Sequence, residues 1–182
     1  MENLFEYPGL RILNIFLKEP YRELYLREVA SHARVSASTA KSFLDSLTID
    51  GFLVRTEKAN LVLFKANIED PMFRHFKIAH FLRDVKPLTK YLKQNYEKCS
   101  IIIYGSCARG EDDKNSDIDL LVIGRAEKVE MAAIEKRLSR TINLLVYTYQ
   151  EWEEKAKQDE AFYESIITDG LVIQGNLPMI IK

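Results

Sequence analysis

The chain has 182 residues, 47% hydrophobic and 29% charged, enough for a full core and compatible with two small domains. Its two cysteines, Cys99 and Cys107, and its three histidines follow no CxxC or zinc-ligand spacing, which argues against a disulfide framework and a zinc site. The net charge of −1 divides unevenly: residues 1–98 hold 16 basic and 12 acidic side chains, net +4, while residues 99–182 hold 10 and 15, net −5. A mildly basic half suits a polyanion and an acidic half suits metal cations. No basic stretch leading into an apolar core opens the chain, and no apolar run approaches the roughly 18 residues of a membrane span. The expectation is a soluble protein of the reduced cytoplasm with no membrane partner.

In chain order, Leu10, Leu13, Ile15, Phe16 and Leu17 space out one face of a helix that begins after Tyr7-Pro8-Gly9 and ends near Glu19-Pro20. Leu24-Tyr25-Leu26 leads into a second short helix over 27–33. Ser36 is placed as N-cap of a third helix with Ala40, Phe43, Leu44 and Leu47 inward, stopped at Asp50-Gly51. Phe52 to Arg55 and Leu61 to Lys65 read as strands joined by a polar turn over 56–60. Three helices and a hairpin in this order resemble a winged helix-turn-helix domain.

Asp70-Pro71 starts a further helix, cap followed by a proline at its first position, and Pro87 interrupts it before a helix marked by Leu88, Tyr91, Leu92 and Tyr96. With no Gly/Ser-rich composition, this helical pair reads as a linker of fixed angle. Domains are therefore expected at 1–68 and 99–182, with a linker over 69–98 and the second domain's first helix from about 88. Beyond it, strand and helix alternate. Strands are expected at 100–104, 117–123, 141–148 and 171–174, with helices at 127–140 (Val129, Ala133, Ile134 and Leu138 inward) and 151–168. The overall class is α+β, an N-terminal winged helix followed by a mixed α/β sheet.

Chemistry concentrates in GSCARGEDDKNSDIDLLV, residues 105–122. Gly105 permits a tight turn leaving a buried strand, and Ser106 adds a hydroxyl and an amide for phosphate oxygens. Arg109 offers a forked donor pair to a phosphate, or an ion pair to Glu111, Asp112 or Asp113. Asp117 and Asp119, two apart on a strand, project from one face while Ile118 and Leu120 enter the core. Like charges so close are costly unless a cation joins them.

A strand ending in Gly105-Ser106, a gap of about ten residues, then Asp117-Ile118-Asp119 among apolar residues resembles the nucleotidyltransferase fold of the DNA polymerase β superfamily. Gly-Ser-x-Ala-Arg-Gly with Ser-Asp-Ile-Asp-Leu-Leu-Val resembles its minimal nucleotidyltransferase (MNT) branch. The resemblance, over about residues 88–175, implies that Gly105 and Ser106 bind a nucleoside triphosphate and that Asp117 and Asp119 hold Mg²⁺. The implied reaction is in-line transfer of a nucleoside monophosphate to a hydroxyl. It also implies a third carboxylate on the next strand, where this chain has Asn143. By family analogy, a HEPN-type ribonuclease is a candidate partner. Cys107 reads as a small spacer in the turn.

The resemblance to a winged helix implies DNA contacts from Ser36, Ser38, Thr39 and Lys41 on the third helix and from Arg55 and Lys58 beside the wing. Two function classes follow: a nucleotidyltransferase steered by a DNA-binding module, or a transcription regulator whose nucleotidyltransferase-like domain is an inactive sensor or dimerisation platform. A homodimer fits either.

Overall fold

Helix ends in the first half of the chain are set by a few side chains that sequence alone identifies. The computed structural model describes residues 6–125 and 129–180, and the chain divides into two units, Met1–Lys77 and Ile78–Lys182. In the first unit, α1 (Pro8–Lys18) starts on its proline and buries Ile12, Leu13, Phe16 and Leu17. A two-residue strand, β1 (Leu24–Tyr25), leads into α2 (Leu26–Ala33), which closes on Arg34 in the left-handed region at φ 52°. Then α3 (Ala37–Ile49) begins where the Ser36 hydroxyl accepts the Thr39 amide at 3.1 Å, a cap worth about 1 kcal/mol.

Strands β2 (Leu53–Lys58) and β3 (Leu61–Ala66) pair antiparallel from Leu53↔Ala66 to Lys58↔Leu61, so the turn is only Ala59-Asn60. The longer turn expected over 56–60 is corrected: Thr56, Glu57 and Lys58 are polar because that stretch of strand is exposed. Strand β1 was not anticipated; it adds Leu24↔Phe64 and Tyr25↔Leu63 to form a sheet of order β1-β3-β2. Two residues are too few to show a period. Ile12, Phe16, Leu24, Leu44, Phe64 and Phe73 lie in one core.

The boundary falls within α4 (Pro71–Asp84), whose Asp70 cap accepts the Phe73 amide at 2.8 Å. In the second unit Phe81 and Val85 join Leu88 and Leu92 of α5 (Lys86–Asn95) in a core shared with the sheet. This division also relocates charge. Met1–Lys77 carries 11 basic and 10 acidic residues, net +1. The basic excess of the N-terminal half thus sits on Arg83, Lys86, Lys90, Lys93 and Lys98, beyond the boundary.

The second sheet has order β6-β5-β4-β7, formed by β4 (Ser100–Tyr104), β5 (Ile118–Ile123), β6 (Ile142–Tyr147) and β7 (Leu171–Gln174). Between β4 and β5 lies the one-turn helix α6 (Ser106–Arg109). β4 runs antiparallel to both neighbours, whereas β5 and β6 are parallel, joined through α7 (Ala132–Leu138). Ile101, Ile103, Leu120 and Val122 face the layer that includes α5, while Ile102, Leu121 and Ile123 face Trp152 and Ile166 on the other side. A strand buried on both faces reads as an unbroken apolar run.

Two helix expectations shift. The helix expected from 127 begins outside the described residues at that end. Within them, α7 starts at Ala132, with Met131 buried at its N-cap and Ala133 exposed rather than inward. The helix expected over 151–168 is two, α8 (Tyr149–Gln158) and α9 (Glu160–Asp169), broken at Asp159. That carboxylate accepts the Phe162 amide at 3.2 Å and pairs with Lys155 at 2.8 Å. An Asp favours just this local bonding over helix interior. Thr148 and Glu151 close a capping box at the start of α8. Among the described residues no helix is long and apolar enough to cross a membrane.

Candidate active site

Antiparallel pairing of β4 with β5 and parallel pairing of β5 with β6 set Tyr104 opposite Asp119 and Asp119 opposite Asn143. Directly paired residues share a face of the sheet, so the three form a row across it. Asp117 stands just before β5 and is exposed; Asp119 is half-buried. The Asn143 amide nitrogen donates to Asp119 Oδ1 at 3.0 Å and reaches Asp117 Oδ2 at 3.5 Å. One neutral donor thus faces both carboxylates. The expected third carboxylate position is filled by a group that takes up negative charge rather than adding to it.

Gly105 sits at the end of β4 with φ 72° and ψ −153°, a region open to glycine alone. Its Cα also lies against Asp119: a Cβ there would come 2.4 Å from Asp119 Oδ2. The phosphate-binding turn and the metal-binding carboxylate expected from sequence are therefore in direct contact. Ser106 opens α6, half-buried, and its carbonyl accepts the Glu111 amide at 2.9 Å.

Arg109, the phosphate candidate, makes two ion-pair contacts. Its Nε donates to Glu111 Oε2 at 2.7 Å, and its Nη1 lies 4.0 Å from Asp169 Oδ2 at the end of α9. The pair is well exposed, and exposed ion pairs hold their geometry weakly. The acidic run is bonded into the fold. Asp112 is buried and accepts Arg140 Nη1 at 3.1 Å, while Asp113 takes the Asn115 amide and the Ser116 hydroxyl, both at 2.9 Å, shaping the loop that leads to Asp117.

Cys107 is buried as the spacer reading expects, and burial pushes its thiol up to about 11 despite the nearby Arg140. It is neutral at pH 7 and no nucleophile. Tyr104 is likewise raised to about 12, first by burial and then by the Asp119 charge. Its ring meets Phe162 edge-on at 5.5 Å. Sequence reading did not single out Arg140 or Tyr104. Nothing distinguishes an arginine after Leu138-Ser139 until its distant partners are brought to it.

The family model for the nucleotidyltransferase domain matches residues 85–168. The match supports, over that stretch, the resemblance to nucleotidyltransferases of the DNA polymerase β and MNT type. A protein of Methanocaldococcus jannaschii named "Putative protein adenylyltransferase MJ1215" is 58% identical over 33 residues, 18% of this chain and 38% of that protein. The chain thus spans well under half of that relative. The crystal structure of Pseudomonas aeruginosa HmgR aligns with 67% of this chain and 48% of that chain at 21% identity and a TM-score of 0.33, a likeness too slight to bear on the fold.

The residues present fit a magnesium ion. Hard oxygen donors suit Mg²⁺, and Asp117 and Asp119 supply two carboxylates within reach of one Asn143 amide. Among the described residues no group of three or more His, Cys, Asp or Glu side chains gathers to hold a metal. The candidate donors are therefore the Asp117 and Asp119 carboxylates, with the Asn143 amide beside them.

The DNA-contact candidates lie in the first unit. Ser36, Ser38 and Thr39 form a hydroxyl cluster at the start of α3, with Ser36 Oγ 2.9 Å from Ser38 Oγ and 2.8 Å from Thr39 Oγ1. Lys41 is exposed. Arg55 pairs with Glu57 at 2.6 Å and Lys58 with Glu23 at 2.7 Å.

Proposed function

We propose that the protein transfers AMP from ATP, with Mg²⁺, to a hydroxyl of a protein acceptor. The observation that carries this is the contact between Gly105 and Asp119, with Asp117 beside it, inside a nucleotidyltransferase domain. ATP and a protein acceptor are suggested by the name of the M. jannaschii relative. The Gly105-Ser106 turn would hold the triphosphate, and Asp117 and Asp119 would hold Mg²⁺, which neutralises charge developing on the phosphate oxygens. The acceptor oxygen bonds to the α-phosphorus, the bond to the β-phosphate oxygen breaks, pyrophosphate leaves, and the hydroxyl proton passes to solvent. Calorimetry with Mg²⁺ and each NTP tests this directly: absence of binding to any of them sinks the reading. A helical HEPN-type protein and a second copy of this chain are the acceptors to assay first.

Asn143 should limit the rate. An amide cannot take a proton, and general-base assistance is typically worth about 10²–10⁴-fold. Asn143→Asp is expected to raise labelled AMP transfer at least about tenfold. Because the new carboxylate would stand near Asp119, the variant should also be destabilised without Mg²⁺ and regain stability as Mg²⁺ is added. An unchanged rate, with no Mg²⁺-dependent gain in melting temperature, would remove Asn143 from the site.

The order of α1, α2, α3 and the β2–β3 hairpin supports a winged-helix reading of the first unit, with α3 entering the major groove of duplex DNA. With the unit near neutral in charge and two of the candidate cations in ion pairs, Lys41 carries most of that proposal. A gel shift should weaken as salt rises, and Lys41→Ala should reduce the salt slope by about one. A shift insensitive to salt or to Lys41→Ala would rule out this contact.

A further inference from the structure

The loop that delivers Asp117 is held by one guanidinium. Arg140, two residues before β6, donates from Nε to the Ser116 carbonyl at 2.6 Å and from Nη1 to Asp112 Oδ2 at 3.1 Å. Its Nη2 reaches Cys107 Sγ at 3.0 Å and the Asp117 carbonyl at 3.3 Å. The Arg140 side chain is 13% exposed and the Asp112 side chain 5%, and the guanidinium lies 5.4 Å from the centre of the Phe81 ring. The Cys107 thiol adds a second donor to the Asp117 carbonyl at 3.3 Å. One residue on, the Ile118 amide donates to Thr141 O at 2.9 Å, which ties the first peptide of β5 to the residue after Arg140.

These contacts converge on Asp117, which lies outside the strand ladder and has none of its registry. A carboxylate useful to a cation must be fixed within a fraction of an ångström. The planar fork of arginine can serve several acceptors in one plane, which a lysine ammonium cannot. The Asp112 carboxylate compensates the buried charge, so the fork stays aimed at the loop.

We infer that Arg140 is a positioning residue for nucleotide and metal binding: it fixes Asp117 through the Ser116 and Asp117 carbonyls and touches neither ligand. The inference rests on the nucleotidyltransferase reading above. It differs from a purely structural role in its signature. A merely structural loss lowers the fraction of competent molecules, and so the calorimetric stoichiometry, at unchanged affinity; lost positioning lowers the affinity of the molecules that do bind.

The test is calorimetry of the full chain with Mg²⁺ and a nonhydrolysable ATP analogue, alongside melting temperatures. Arg140→Met should bind about tenfold more weakly or worse, the range seen when a residue supporting a metal ligand is lost, and should melt lower. Arg140→Lys should fall between that variant and the wild type. Arg140→Met combined with Asp112→Asn removes the stranded buried charge and should regain melting temperature without regaining affinity. Affinity equal to wild type in the double variant, or loss confined to stoichiometry, overturns the inference and leaves the nucleotide-binding reading intact. A wild type that binds no nucleotide overturns both.

Discussion

Asp119→Asn is expected to weaken Mg²⁺-dependent nucleotide binding by roughly a hundredfold or more, and with it any AMP transfer. The substitution keeps the outline of the side chain and removes a full negative charge from a donor set that has only two. The Asn143 amide offers no replacement, since it adds no charge. Folding should be spared: position 119 is paired on both sides, to Tyr104 and to Asn143, and the carbonyl oxygen of the substituted amide can still accept from Asn143. Relief of the repulsion between two neighbouring carboxylates should leave the metal-free melting temperature unchanged or higher. The result to look for is therefore loss of ligand affinity without loss of stability. Retained Mg²⁺-dependent affinity would mean that nucleotide and metal bind elsewhere.

Gly105→Ala should injure both fold and binding at once. Two costs coincide at this residue: a backbone at φ 72° and ψ −153°, about 1–3 kcal/mol for a side chain that must adopt it, and a Cβ placed 2.4 Å from Asp119 Oδ2. A drop in melting temperature of about 5–15 °C follows for a unit of this size, and Asp119 must move to make room. Gly51→Ala is the control, because Gly51 has φ 82° but an added Cβ would come no nearer than 3.9 Å to an Asp70 oxygen. It should carry strain without a clash. If both variants melt alike and Gly105→Ala keeps nucleotide affinity, the contact between turn and carboxylate has no functional weight.

Much of the sheet unit was legible because its signals are local. An unbroken apolar run at 100–104, an alternating carboxylate pair, and Gly105 between them are readable without any partner. Caps were legible at Ser36 and Asp70 for the same reason, since an N-cap acts within three residues. The break at Asp159 was not, because Trp152, Phe162 and Ile166 keep a helical spacing across it. Arg140 was not legible because its partners are 23 to 33 residues away along the chain. The short strand β1 and the charge boundary at Lys77 likewise depend on tertiary pairing rather than on composition.

The amide of Asn143 has one further consequence. Its NH₂ end faces Asp117 and Asp119, and a cation seated on those carboxylates would repel that end and attract the oxygen. The two ends have nearly the same shape, so the group can turn about its last bond at little steric cost. Asn143 is thus a natural spectroscopic reporter. Its side-chain NH₂ resonances, recorded while Mg²⁺ is titrated into ¹⁵N-labelled protein, would follow occupancy of the carboxylate pair from inside the site, with no dye, label or chemical step required.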